Sequence, residues 1–272
     1  MIVGSLLLIV VQYPESLRAP GSRDAVTVFG LLVVYAGIAA WVRRSPAGAL
    51  CRALAKGARV GAVLVVVEVL NLALEHSSAS ATLSAVRGVS SWAAIFLAFG
   101  AAGALGASVS EDGAPTAFGP SVGRATLSSI WCGLIAAVGA VLAGVMLPVF
   151  FMPRMIQILA PAAAGAADLP VFVVRNTMSA AGEHLLVLPI VAAVFGTIGG
   201  SAALLMHQVP RRVALFIGAL QCVLAVGGIA ALRWASLLPR SARPLYVRCG
   251  LLALGLTLAC ALPMIRAIRG KR

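Results

Sequence analysis

The stretch TLSSIWCGLIAAVGAVLAGVMLPVFF, Thr126–Phe151, runs for 26 residues without a charge. About 20 predominantly apolar residues are enough to carry an α-helix across ~30 Å of hydrocarbon at ~1.5 Å per residue. Hydrocarbon offers no partner to exposed amides, so a segment this long and uniform reads as a helix and not as a barrel strand. Six further runs have the same character: Ala25–Val42, Val60–Ser77, Ser91–Ser108, Leu185–Met206, Val213–Leu232 and Leu245–Ile265. The expected fold is an all-α integral membrane protein, a polytopic bundle of seven transmembrane helices with no soluble domain.

Composition agrees with that reading. Of 272 residues 61% are hydrophobic and 11% charged, whereas a soluble domain carries about 25% charge. There are too few charges to cover a globule of this length. The net charge of +13 does not imply nucleic acid, because the basic residues sit at the ends of apolar runs, where they meet lipid headgroups, and no basic patch is interleaved with aromatics.

Two stretches fall outside the seven runs. Residues 1–24 form a short apolar segment followed by an external linker. Met1–Val11 is either a short, tilted helix or a signal-like segment, although it lacks a basic beginning and a clear cleavage site. Residues 25–272 are expected to form a single transmembrane domain with an external connection over 152–184. Within that connection Met155–Val174 is apolar but contains Pro161, Pro170, Gln157 and Asp168. It reads as a loop folding back on the bundle, with an eighth crossing as the alternative.

Basic residues orient the chain. Arg43, Arg44, Arg52, Lys56 and Arg59 put the first connection in the cytoplasm, and Arg266, Arg269, Lys271 and Arg272 form a cytoplasmic carboxyl-terminal tail. The expected location is the inner (plasma) membrane. Arg52, Lys56 and Arg59 also recur at helical spacing, so Leu50–Arg59 reads as an interfacial helix on anionic lipid.

Glu68 is the most informative residue, lying within the run Val60–Ser77 with Asn71 and Glu75 on the same helix face. An ionisable group at membrane depth is costly and marks a functional site by default. Glu68 follows Arg59 by nine residues, Gln221 follows Arg212 by nine, and Thr257 precedes Arg266 by nine. All three then lie ~13 Å from the cytoplasmic anchors. Thr197, ten before His207, has a similar depth. Glu68, Asn71, Gln221, Thr257 and Thr197 are therefore candidates for one buried polar layer, with Glu68 coupling protons or contacting substrate. The competing view is structural: a hydrogen-bonded carboxyl that holds helices together.

A repeated dipeptide gives a second candidate. Glu75-His76 and Glu183-His184 both fall at span ends, and carboxylate with imidazole suits zinc or iron. Neither pair has the spacing that fixes ligands on one point, and interfacial polar residues are the plainer reading. No cofactor is expected. The five cysteines show no paired spacing and read as small core residues.

Glycine spacing supplies the third signal. Phe99-Gly100-Ala-Ala-Gly103 is echoed by Phe195-Gly196-Thr-Ile-Gly199, and Gly196 with Gly200 makes a GxxxG. Such residues let helix backbones approach closely in lipid. Gly100, Gly103, Gly196 and Gly200 are expected at internal helix contacts or, alternatively, on a homodimer face. No nucleotide-binding, hydrolase or metalloprotease motif is present, so no catalytic residue is assigned. Passage of a small solute or ion is the leading expectation. A non-catalytic membrane subunit, scaffold or sensor that binds a partner through its spans is the rival.

Overall fold

The computed structural model describes residues 11–17, 21–44, 48–75, 81–108, 118–163, 166, 168–206 and 210–235. Among them there are six α-helices and no strand: α1 (Gly21–Arg44), α2 (Ala49–Glu75), α3 (Ala81–Ala107), α4 (Phe118–Leu159), α5 (Leu169–Leu205) and α6 (Arg211–Ala235). Short 3-10 turns occupy Pro14–Leu17 and Ala160–Ala163.

Three segments are long and apolar enough to cross a membrane: Arg23–Arg44 in α1, Ser121–Gln157 in α4 and Leu169–Leu205 in α5. The count of seven is not reached on the described residues. The other apolar stretches among them are Ser91–Ala107 in α3 and Ile217–Gly228 in α6. Val60–Ser77 is helical as far as Glu75 in α2. Leu245–Ile265, like the amino-terminal segment 1–10, lies outside the described residues.

Local chemistry explains the helix ends. In α1, Asp24 stands in the first turn and Arg43 and Arg44 in the last, matching the partial charges of the helix termini. In α4 the backbone leaves helical geometry at Phe151 (φ −132°, ψ 30°), between Pro148 and Pro153. Each proline lacks an N–H and crowds the carbonyl four residues earlier, so the kink falls where the uncharged run ends. Helix also enters both ends of the expected connection 152–184, since α4 reaches Leu159 and α5 begins at Leu169. Asp168 caps α5 by accepting the Val171 N–H at 3.1 Å, and Pro170 sits in the first turn, where a missing N–H costs nothing. The two prolines thus flank the helix break.

The described residues fall into two compact units. The first is bounded as Met1–Pro46, Gly61–Ser91 and Gly133–Pro189, the second as Ala47–Val60, Trp92–Cys132 and Ile190–Arg272. In the first, α1 packs on α5: Val28 is fully buried and faces Gly182, while the Tyr35 hydroxyl donates to the Leu185 carbonyl. Gly139 of α4 lies against the Val65 side chain of α2. Arg175 of α5 donates to the Glu15 carbonyl at 3.1 Å.

The second unit is held by backbone approach. The two Phe-Gly motifs cross each other: a Cβ on Gly103 would land on the Gly196 backbone, and one on Gly199 would land on the Gly100 backbone. Phe96 and Phe195 stack beside this crossing, with ring centroids 4.4 Å apart. Ser129 of α4 fills the space beside Gly196 and donates to the Phe99 carbonyl at 2.9 Å. Its neighbour Ser128 has a single hydroxyl hydrogen directed at the carbonyls of Ala53 (2.8 Å) and Ala102 (3.0 Å), tying α4 to both α2 and α3.

The segment Leu50–Arg59 is not a separate interfacial helix. It is the first part of an unbroken α2, and Gly57 is buried against the backbone of Ser128. Lys56 reaches the end of α3 instead, donating to the Leu105 carbonyl and to Ser108 Oγ, each at 3.2 Å. A cation there satisfies carbonyls that the helix leaves unpaired.

Candidate polar site

Glu68 sits seven residues before the end of α2, and Ser91 ten residues after the start of α3. At ~1.5 Å per residue these positions are ~10 and ~15 Å from the facing ends of the two helices, so consecutive antiparallel helices can bring them level. The structure does so: Ser91 Oγ lies 2.8 Å from Glu68 Oε1 and 3.0 Å from Oε2. The hydroxyl donates to the carboxyl from between its two oxygens. His184 of α5 is close enough to act on the same carboxyl electrostatically. Its Nδ1 is 2.7 Å from the Ala180 carbonyl, which accepts only if Nδ1 carries the hydrogen. In a neutral ring, Nε2 then has its lone pair.

A single hydroxyl hydrogen cannot fill the acceptor capacity of a carboxylate, which has about four lone-pair sites. Among the described residues Ser91 is the one hydrogen-bond partner of Glu68, so counted over those residues the carboxyl keeps room for a proton, a cation or a donor group of a solute. Glu68 itself is half-buried, which fits a group held by one neighbouring helix and open on another side.

The other members of the expected polar layer are placed as follows. Thr197 belongs to the second unit and pairs with Thr126 Oγ1 at 2.9 Å, while its own hydroxyl also lies 2.7 Å from the Ala193 carbonyl. Gln221, on α6, is buried, and its Oε1 has no hydrogen-bond partner among the described residues. Asn71 is within α2, but its side chain lies outside the described residues, and so does Thr257.

The Glu-His pairs divide in the same way. Glu183 and His184 are exposed on α5, whereas the Glu75 side chain and His76 lie outside the described residues. Among the described residues no three of His, Cys, Asp and Glu gather as a metal site would require. Cys51, Cys132 and Cys222 are free thiols.

The glycines have inward contacts. Gly100 and Gly103 face the α5 backbone, Gly196 faces Ser129, and a Cβ on Gly200 would meet that of Ala125. Two features escape a reading of composition and motif. Ser91 barely changes the hydropathy of its run, yet it is the hydrogen-bond partner of Glu68. Tyr35 reads as one more aromatic in α1, and only the position of Pro189, four residues after Leu185, signals that a carbonyl there needs a donor. No protein-family model, curated protein or solved structure matches this chain.

Proposed function

We propose that this chain is a multi-pass protein of the inner membrane that passes a small solute or ion, with Glu68 as its working carboxyl. In this reading α2, α3 and α6 cross together with α1, α4 and α5, and Leu245–Ile265 makes the seventh span, which leaves the carboxyl-terminal tail in the cytoplasm. The observation that carries the proposal is the Ser91–Glu68 contact, a carboxyl held, among the described residues, by one hydroxyl that does not fill its acceptor capacity. His184, in electrostatic range, adds a second group able to take up a proton. A carboxyl serving only to join two helices would gain from complete satisfaction, since a partly satisfied polar group at depth costs stability.

The alternative of a scaffold that binds a partner subunit draws support from the close crossing of α3 and α5, which makes a rigid body. That crossing uses Gly100, Gly103, Gly196 and Gly200 internally, so a homodimer or partner contact in this reading takes another face.

Proton flux separates the two readings without knowledge of the solute. Purified protein is placed in liposomes loaded with a pH-sensitive dye, and a potassium diffusion potential is imposed with valinomycin. Wild type should acidify the lumen at least tenfold faster than empty liposomes, and Glu68→Gln should return the rate to that of empty liposomes while keeping the fold. Equal rates for wild type and Glu68→Gln, or no flux with wild type, would overturn the proposal and leave the scaffold.

A further inference from the structure

Pro189 lies inside α5, where it supplies no N–H to the carbonyl four residues earlier. That carbonyl belongs to Leu185, a residue only 1% exposed, and an unpaired carbonyl in such a place is expensive. The donor comes from another helix. Tyr35 of α1 gives its hydroxyl hydrogen to Leu185 O, standing in for the amide that Pro189 lacks. The same turn of α5 carries His184, whose ring is pinned to Ala180 O on its own helix, so any bending at Pro189 is a change next to the imidazole.

We propose that Tyr35 is a removable latch on a proline hinge in α5, and that its release lets α5 change its bend and alters the position of His184 toward Glu68. Proline is where helices bend, and the carbonyl it frees can be served by a neighbouring helix, a side chain or an ordered water. With the phenol in place the Leu185 carbonyl is satisfied by protein. When a water molecule takes over, the hinge is no longer tied to α1, and no backbone hydrogen bond has to break for that exchange. Only the final step, from hinge to Glu68, rests on the reading of Glu68 as a working carboxyl.

Two substitutions in combination test the latch. Tyr35→Phe keeps the ring and removes the donor; Pro189→Ala restores a backbone N–H to Leu185 O and makes the donor unnecessary. Amide hydrogen exchange over 186–194 is followed by mass spectrometry on protein in lipid nanodiscs, alongside thermal unfolding. In the native Pro189 background Tyr35→Phe should speed exchange at least fivefold and lower Tm by about 2–4 °C, the shift expected from one intramembrane hydrogen bond. In the Pro189→Ala background the same change should alter exchange less than twofold.

An equal effect in both backgrounds would show that Tyr35 acts by packing and would overturn the latch, as would no effect in either. The link to Glu68 is read separately, as the valinomycin-driven proton flux of Tyr35→Phe. A change of threefold or more supports it. An unchanged flux beside a confirmed latch overturns the link alone, whereas absent flux in wild type overturns the reading of Glu68 and leaves the latch standing.

Discussion

The two units solve the same problem by opposite means. In the second, helices α2, α3, α4 and α5 come together at Gly57, Gly103, Gly106, Gly196 and Gly199, and what each glycine faces is mostly backbone or a serine. In the first, the helices carry Pro148, Pro153 and Pro189 and are joined through longer side chains: Tyr35 to Leu185, Ser91 to Glu68, Arg175 to Glu15. In lipid there is no hydrophobic drive between helices, so close packing and interhelical hydrogen bonds do the work. Backbone-to-backbone packing cannot adjust without separating whole helices. Side-chain links can open and close one at a time. Rigidity thus belongs to the second unit and adjustable contacts to the first.

Substitutions that add a single methyl group test this most directly. Gly103→Ala places a Cβ on the Gly196 backbone, which no rotamer change can relieve. It should cost about 3 kcal/mol, at the upper end for overpacking, and lower Tm by about 6–12 °C. Gly144→Ala, with nothing within 4 Å of the new atom, should leave Tm unchanged or slightly raised. If Gly103→Ala is as harmless as Gly144→Ala, the second unit is not the rigid one.

Gly139→Ala in the first unit sharpens the contrast. The three atoms nearest its Cβ all belong to the Val65 side chain, so a loss of about 1–2 kcal/mol is expected. Val65→Ala in the same chain should recover most of it, because the clash is with atoms that can be removed. A double variant no more stable than Gly139→Ala would mean that the two helix backbones are in contact here too.

The smallest effect concerns Glu68 as a structural group. Glu68→Leu leaves the Ser91 hydroxyl without its acceptor and should cost about 1 kcal/mol, whereas Glu68→Gln keeps an acceptor and should stay within about 0.5 kcal/mol of wild type. Reversible unfolding in mixed micelles reads both. A loss of several kcal/mol for Glu68→Gln would move Glu68 from the adjustable contacts to the structural ones.

Much of this arrangement is legible in the sequence, and the limit has a physical origin. Hydropathy accumulates along the chain, so Thr126–Phe151 stands out, and one carboxyl among Val and Leu marks Glu68 without ambiguity. The Phe-Gly echo is legible as a repeat, but not that its two copies are each other's partners, Gly103 on Gly196 and Gly199 on Gly100. Partnership depends on how each helix is rotated about its axis, and neither hydropathy nor depth arithmetic contains that angle. The same limit hides Ser91 behind Glu68 and Thr126 behind Thr197. Span length suffers from a different one: an apolar run shows where lipid is tolerated, while caps and prolines such as Asp168 and Phe151's neighbours decide where the helix stops.

The crossing of α3 and α5 has a consequence for how the protein is made. Gly100 is synthesised about a hundred residues before Gly199, the residue that covers it. At about 5–20 residues per second of translation, roughly 5–20 s separate the two. Throughout that interval a nascent α3 has its bare glycine face complete and its mate not yet in existence. Another newly made copy offers the same face, so crowded synthesis on one message favours wrong pairing between chains. Slowing initiation should raise the yield of correctly assembled protein.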